Sequence, residues 1–304
     1  MANTSVPLVV EVGPRDGLQN EPAAVATADK IAFIDRLSEA GLPIIEVTAF
    51  VSPAWVPQMA DAAEVLAGIT RRPGTRYLAL VPNARGLERA QAAGVTDVAI
   101  FAAASETFSR RNINQSIDAS FDTYRVVTDA ALAAHLRVRG YLSTSFGCPF
   151  EGDVAADRVV TLTRRLLDLG VYEVAVSDTI GVAHPGQVRT LLRTLLADVR
   201  SDQIALHFHD TRGTALANVL AALDLGIRTF DASAGGLGGC PYAPGAAGNL
   251  ATEDLLYLLH GLGHDTGVDL DAVCEASTSL EPLLGHPLPS RYVQARRASR
   301  PARG

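Results

Sequence analysis

Cysteine is scarce and odd in number: Cys148, Cys240 and Cys274 are the only three in 304 residues. So few thiols exclude a disulfide-stapled scaffold and leave at least one unpaired, which points to a reducing compartment. Aromatic residues make up only 6% of the chain. An excess of basic charge is also missing: 26 Lys+Arg stand against 33 Asp+Glu, a net charge of −7. That balance argues against a nucleic-acid partner. No apolar run approaches the ~20 residues that cross a membrane. The first strand candidate begins near Leu8, leaving no room for the charged and apolar regions of a signal peptide. The expectation from these absences is a cytoplasmic protein that engages neither nucleic acid nor membrane.

What the chain does have is hydrophobic residues, 48% of the total, enough for a large core. Short β-branched runs alternate with longer amphipathic ones. The strand candidates are Leu8–Gly13, Ile44–Ala49, Tyr77–Val81, Val98–Ala102, Val138–Ser143, Glu173–Ser177, Ile204–His209 and Thr229–Ser233. Helical patterns follow near 28–40, 57–69, 84–93, 119–135, 154–169, 186–199, 213–225 and 252–262. Several close on glycine before a new strand, as at Gly41, Gly94, Gly170 and Gly226. Eight such units match the ~250 residues of a (β/α)8 TIM barrel, an α/β fold. A doubly wound open sheet is the alternative, but Gly13-Pro-Arg-Asp-Gly17 is not a G-x-G-x-x-G fingerprint. An additional C-terminal helix near 269–284 would pack outside the barrel. The expected organisation is therefore one catalytic barrel over 1–285, followed by a flexible Arg-rich tail over 286–304.

In such barrels the active site lies at the C-terminal strand ends. The polar residues of this chain gather there. Ile204-Ala-Leu-His207-Phe-His209-Asp210 reads as a buried strand ending in two imidazoles that project to the same face. Such a pair suits a metal, although two rim histidines in ordinary hydrogen bonds would give the same pattern. The first strand runs into Arg15, Asp16 and Gln19; the second carries Glu46; the sixth ends at Asp178; the eighth leads through a glycine-rich loop with Cys240 to Asn249. Asp16, His207, His209 and Asn249 form a mixed oxygen and nitrogen set without thiolate, better suited to Mg²⁺ or Mn²⁺ than to structural zinc. Asp16 and Asn249 are equally at home as ordinary turn residues. Arg15 could hold a developing enolate oxygen or serve as a rim ion pair. A thiol at Cys240 could move a proton near neutral pH, or be a small buried apolar group. Cys148 and Cys274 fit the buried role. Glu46 and Asp178 are candidates for orienting a ligand or moving a proton. Arg110 and Arg111, after the fourth strand, could meet phosphates or simply be solvated.

Taken together, three stretches resemble the 3-hydroxy-3-methylglutaryl-CoA lyase family. They are Glu11-Val-Gly-Pro-Arg-Asp-Gly-Leu-Gln-Asn-Glu21, His207-Phe-His-Asp-Thr211, and Gly236-Leu-Gly-Gly-Cys-Pro-Tyr-Ala243 with Gly248-Asn-Leu-Ala-Thr-Glu-Asp254. Val51-Ser-Pro-Ala-Trp-Val-Pro-Gln-Met59 and Asp178-Thr-Ile-Gly181 resemble it too. The resemblance implies a TIM-barrel metallolyase that splits the CoA ester into acetyl-CoA and acetoacetate, in leucine catabolism and ketone body metabolism, as a homodimer. It implies that Asp16, His207, His209 and Asn249 bind the divalent cation, and that Cys240 is a catalytic cysteine. Arg15, Glu46 and Asp178 belong to the reaction centre, and His207 is credited with catalysis as well as ligation. Arg15 and Gln19 would contact the acyl-CoA substrate, while Glu11 and Glu253 would support the site from behind. Arg212, Ser177 and the run Ser143-Thr-Ser-Phe-Gly-Cys148 depart from the usual pattern, which leaves a longer-branched acyl group open. A condensing synthase on the same barrel is a rival, but it would carry a further C-terminal region. A non-catalytic relative would be expected to have lost Arg15, Cys240 or a ligand, and none is missing.

Overall fold

The strand Leu8–Glu11 (β1) pairs in parallel with Ile44–Ala49 (β2) on one side and with Thr229–Ala232 (β8) on the other. The second pairing closes the sheet on itself. Between them come Arg76–Leu80 (β3), Asp97–Ala103 (β4), Arg137–Ser143 (β5), Val174–Asp178 (β6) and Ile204–Phe208 (β7), in sequence order around a parallel barrel. The computed structural model describes residues 6–239 and 248–299.

All eight strands predicted from the sequence are present, their ends shifted by at most two residues. They read as near-continuous apolar runs because both faces are covered, which is the signature of parallel sheets. Every residue of β2 is buried, including Glu46. The outer ring is formed by Thr27–Glu39 (α1), Ala62–Gly68 (α2), Ala84–Ala92 (α3), Glu106–Ile113 (α4), Ile117–Ala133 (α5), Ala156–Asp168 (α6), Pro185–Leu195 (α7), Ala215–Leu223 (α8) and Thr252–Gly261 (α9). Gly41 and Gly170 follow α1 and α6 at φ +91° and +96°, a left-handed turn that only glycine adopts freely.

Three features depart from the sequence reading. The helix expected over 119–135 is preceded by a separate one, α4, which starts on a Ser105 cap. The outer segment near 269–284 is two helices, Leu270–Thr278 (α10) and Glu281–Leu284 (α11). The flexible tail expected from residue 286 is instead helical over Arg291–Ser299 (α12). Its start is held by Asp254, which accepts hydrogen bonds from Ser290 Oγ, Arg291 N and Tyr292 N at 2.8, 3.0 and 2.8 Å. Val293 is buried beneath it. Cys148 and Cys274 are buried free thiols, and Cys148 Sγ lies 2.9 Å from Ser105 Oγ.

Candidate active site and metal centre

After β1 the chain makes one π-helical turn, Gly13–Gly17, which carries Arg15 and Asp16 to the mouth of the barrel. Such turns recur at functional sites because they re-aim side chains that a regular helix would not. Glu11 fastens this turn from behind. It accepts hydrogen bonds from Gly13 N (2.7 Å), Ala234 N (2.8 Å) and Thr252 Oγ1 (2.6 Å). Glu253 does the same for the start of the glycine-rich segment, accepting from Gly235 N through both oxygens at 3.0 and 2.9 Å.

His207 and His209 stand on the same side of β7, their ring centroids 5.3 Å apart. His207 Nε2 lies 3.9 Å from Asp16 Oδ2. One ligand atom each from Asp16, His207 and His209 falls within 4.8 Å of the others. Asn249 is brought alongside by an antiparallel bridge to His209, and its Nδ2 donates to Asp16 Oδ2 at 2.9 Å and to Leu237 O at 3.0 Å. Asn249 Oδ1 and His209 Nδ1 are buried with no hydrogen-bond partner among the described residues. A buried acceptor without a partner is destabilising. A hard divalent cation held by one carboxylate, two imidazoles and one amide oxygen would satisfy this donor set, so the residues fit the ion. Burial pushes the Asp16 carboxyl up, but Arg15, the two histidines and the Asn249 amide more than reverse this and hold it at about 2. Burial with the neighbouring His207 lowers His209 to about 4, so both groups are in ligating form at neutral pH.

Arg15 is held in a fork. Its Nε and Nη2 reach Glu46 Oε2 at 2.8 and 2.7 Å, and its Nη1 reaches Asp16 Oδ1 at 2.6 Å. Burial works against its charge, but Glu46 and Asp16 outweigh burial and raise its pKa. The guanidinium also lies over the Tyr141 ring, 5.6 Å from its centroid. Arg15, Asp16, His207 and His209 floor a cleft of about 400 Å³. Gln19 stands at its rim, while Val51, Val56, Phe101 and Ile113 give it an apolar wall. Ser143, Ser177 and Thr179 face it from the strand ends.

A family model described as HMGL-like matches residues 7–280. The chain belongs to the HMGL-like family. It is 52% identical over 291 residues to a hydroxymethylglutaryl-CoA lyase of Bacillus subtilis, covering 96% of this chain and 97% of that one. Among solved structures it is similar to the hydroxymethylglutaryl-CoA lyase of Pseudomonas aeruginosa, at 52% identity and a TM-score of 0.95, covering 97% and 98% of the two chains. It is also similar to an HMG-CoA lyase of Acinetobacter baumannii in complex with coenzyme A and 3-methylmalate, at 40% identity and a TM-score of 0.92, covering 100% and 98%.

In this HMGL-like chain the predicted site residues divide by place. Arg15, Asp16, Gln19, His207 and His209 line the cleft, Asn249 abuts it, and Glu46 sits directly behind Arg15. Asp178 is further back. Its carboxylate accepts from Val182 N and Ala183 N at 2.9 and 3.0 Å and closes the turn after β6. Burial raises its pKa, and those two hydrogen bonds act against the rise. Cys240 lies outside the described residues. Arg110 is paired with Glu106 at 2.9 Å, and Arg111 stacks on Phe150 at 4.2 Å from the ring centroid. No helix among the described residues is long and apolar enough to cross a membrane.

Sequence reasoning missed a second buried layer below the mouth. Arg139 on β5 is fully buried and pairs with Glu173 at 2.9 Å and with Asp231 at 2.7 Å. Asp231 in turn lies 3.3 Å from His207 Nδ1. A signal was available: a charged residue inside a strand buried on both faces demands a partner.

Proposed function

We propose that this protein is a divalent-metal-dependent carbon–carbon lyase. It cleaves 3-hydroxy-3-methylglutaryl-CoA, or a close 3-hydroxy-3-alkylglutaryl-CoA, to acetyl-CoA and acetoacetate or the matching 3-keto acid. The observation that carries the reading is the convergence of Asp16, His207, His209 and Asn249 beside a guanidinium fixed by Glu46. A bound Mg²⁺ or Mn²⁺ would act as Lewis acid toward the oxygens of the acyl group. A base takes the C3 hydroxyl proton as the C3 carbonyl forms, and the electrons of the C2–C3 bond pass to the thioester as an enolate. Arg15, at the floor of the cleft, would stabilise that enolate oxygen. By the family resemblance, Cys240 or a water it positions would return a proton to the acetyl carbon, which balances the one lost from the hydroxyl. The reading extends to a cytoplasmic homodimer acting in leucine and ketone body metabolism.

The test is acetoacetate release from the CoA ester. Activity is expected with Mg²⁺, none with EDTA, and a loss of roughly 10²–10⁴-fold with Cys240→Ala. Equal turnover with and without EDTA would remove the metal from the reaction and with it this reading.

A further inference from the structure

The two histidines of the cleft are not held alike. His209 Nδ1 has no hydrogen-bond partner among the described residues. His207 Nδ1 faces Asp231 Oδ2 at 3.3 Å, across a register in which His207 on β7 stands opposite Asp231 on β8. Asp231 is itself pinned. Arg139 reaches its Oδ1 through Nη2 at 2.7 Å and its Oδ2 through Nη1 at 3.1 Å. The same guanidinium donates from Nε to Glu173 at 2.9 Å and from Nη1 to the Tyr141 hydroxyl at 3.1 Å. Asp231 and Arg139 are 1% and 0% exposed, so water does not compete for these bonds.

We propose that Asp231, backed by Arg139, is a positioning residue that fixes the ring plane and tautomer of His207. A carboxylate locked in a bidentate pair with arginine accepts hydrogen bonds and cannot donate them. The nitrogen facing it must therefore carry the hydrogen. In a neutral imidazole this leaves the only lone pair on Nε2, the nitrogen turned toward Asp16. Partners of this kind orient a ligand and raise its basicity, and their loss typically lowers metal affinity 10–100-fold. It follows that ligation and proton transfer by His207 would draw on one and the same lone pair. The inference rests on the reading of His207 as a ligand, and its tests are chosen to separate the two.

The first test uses the unaltered protein. Long-range ¹H–¹⁵N correlation spectra of histidine-labelled protein should show His207 protonated on Nδ1, its signal assigned by its absence in His207→Gln. A proton on Nε2 with Nδ1 bare would overturn the proposal. The second test is Mn²⁺ titration by electron paramagnetic resonance. Asp231→Asn, whose amide permits either tautomer, should weaken Mn²⁺ binding by roughly 10–100-fold. Glu173→Gln, which shares Arg139 but does not touch His207, should lower the melting temperature and leave Mn²⁺ affinity in place. Equal losses of affinity in the two variants would reduce Asp231 to a structural role and defeat the inference, as would an Asp231→Asn variant that binds Mn²⁺ as the parent does. Should Asp231→Asn fail to fold, the spectra decide alone. A parent protein that binds no Mn²⁺ would sink the lyase reading, while the spectra would still judge the tautomer.

Discussion

A guanidinium carries five N–H donors, and in Arg15 the atoms Nε, Nη1 and Nη2 are each turned to a carboxylate. The fork is thus fixed before any acyl group arrives, with its remaining hydrogens toward the cleft. Arg15→Gln should lower kcat by roughly 10²–10³-fold, the usual effect of losing one donor to a developing oxyanion. It also strands Glu46, so stability falls with it. The double variant Arg15→Gln, Glu46→Gln separates the effects: its melting temperature should recover while kcat does not. Recovery of both would assign Arg15 to the fold alone. Glu253 and Glu11 give a pH signature of their own. Burial raises Glu253 from 4.5 to about 8 and Glu11 from 4.5 to about 7. The folded chain therefore holds protons that the unfolded chain has released. Their contribution to stability is complete below pH 4.5 and is lost as pH climbs through 7 and 8. Melting temperature should fall across that window, and Glu253→Gln, which keeps the shape and drops the titration, should flatten the fall. Melts that are level from pH 5 to 8 in the parent would contradict it.

At the level of elements, the segment after α11 clamps the base of the glycine-rich loop. Ser290 N donates to Gly235 O at 3.0 Å. Gly235 and Gly236 take φ of +75° and +74°, and a Cβ on Gly235 would meet the Leu288 methyls at 2.9 Å. Leu237 O, next in the chain, receives the Asn249 amide. Leu288 thus packs on the strut that places Asn249, the proposed amide ligand. Leu288→Ala should destabilise the chain by about 2–5 kcal/mol, the range for emptying a buried leucine site. It should also weaken Mn²⁺ binding, which isothermal titration would read. An unchanged affinity in a destabilised variant would mean that the clamp serves the fold only. This element also shows where sequence reading stops. Strand periodicity made all eight strands legible, because burial on both faces writes a local apolar run. The Arg-rich segment from 291 buries little more than Val293. Ser290 caps it locally, accepting from Val293 N at 3.2 Å, and Asp254, 37 residues before Arg291, braces its first turn. One serine before so polar a stretch was too weak a local mark of a helix. His207 and His209 stood out as the polar end of an apolar run, whereas Asp16 and Asn249 sit in turn and loop positions and were singled out by the donor set they complete and by the family resemblance. Arg139 and Asp231 lie inside such runs, and only the closed barrel brings β5 next to β6 and sets Asp231 across the axis.

For the molecule as a whole, the decisive quantity is the charge along the barrel axis. Glu173, Asp231, Asp16 and Glu46 are linked by ion pairs to Arg139 and Arg15. Four carboxylates thus face two guanidinium groups, a surplus of acidic groups in a region largely shielded from water. Charges so placed are screened far less than those at a surface. An ion of charge +2 among Asp16, His207, His209 and Asn249 would offset that surplus more fully than a monovalent ion. The cation should therefore stabilise the fold as well as the reaction. A ligand that binds only the folded state adds about 2.7 kcal/mol at 100 times its Kd. Melting temperature should rise with Mg²⁺ or Mn²⁺, return to its starting point with EDTA, and stay level with K⁺ at equal ionic strength. In Asp16→Asn, which removes both a proposed ligand and one of the four carboxylates, the rise should vanish. If K⁺ raised the melting temperature as Mn²⁺ does, or if Asp16→Asn kept the full rise, the axial charge would be balanced by something other than a cation at these four side chains.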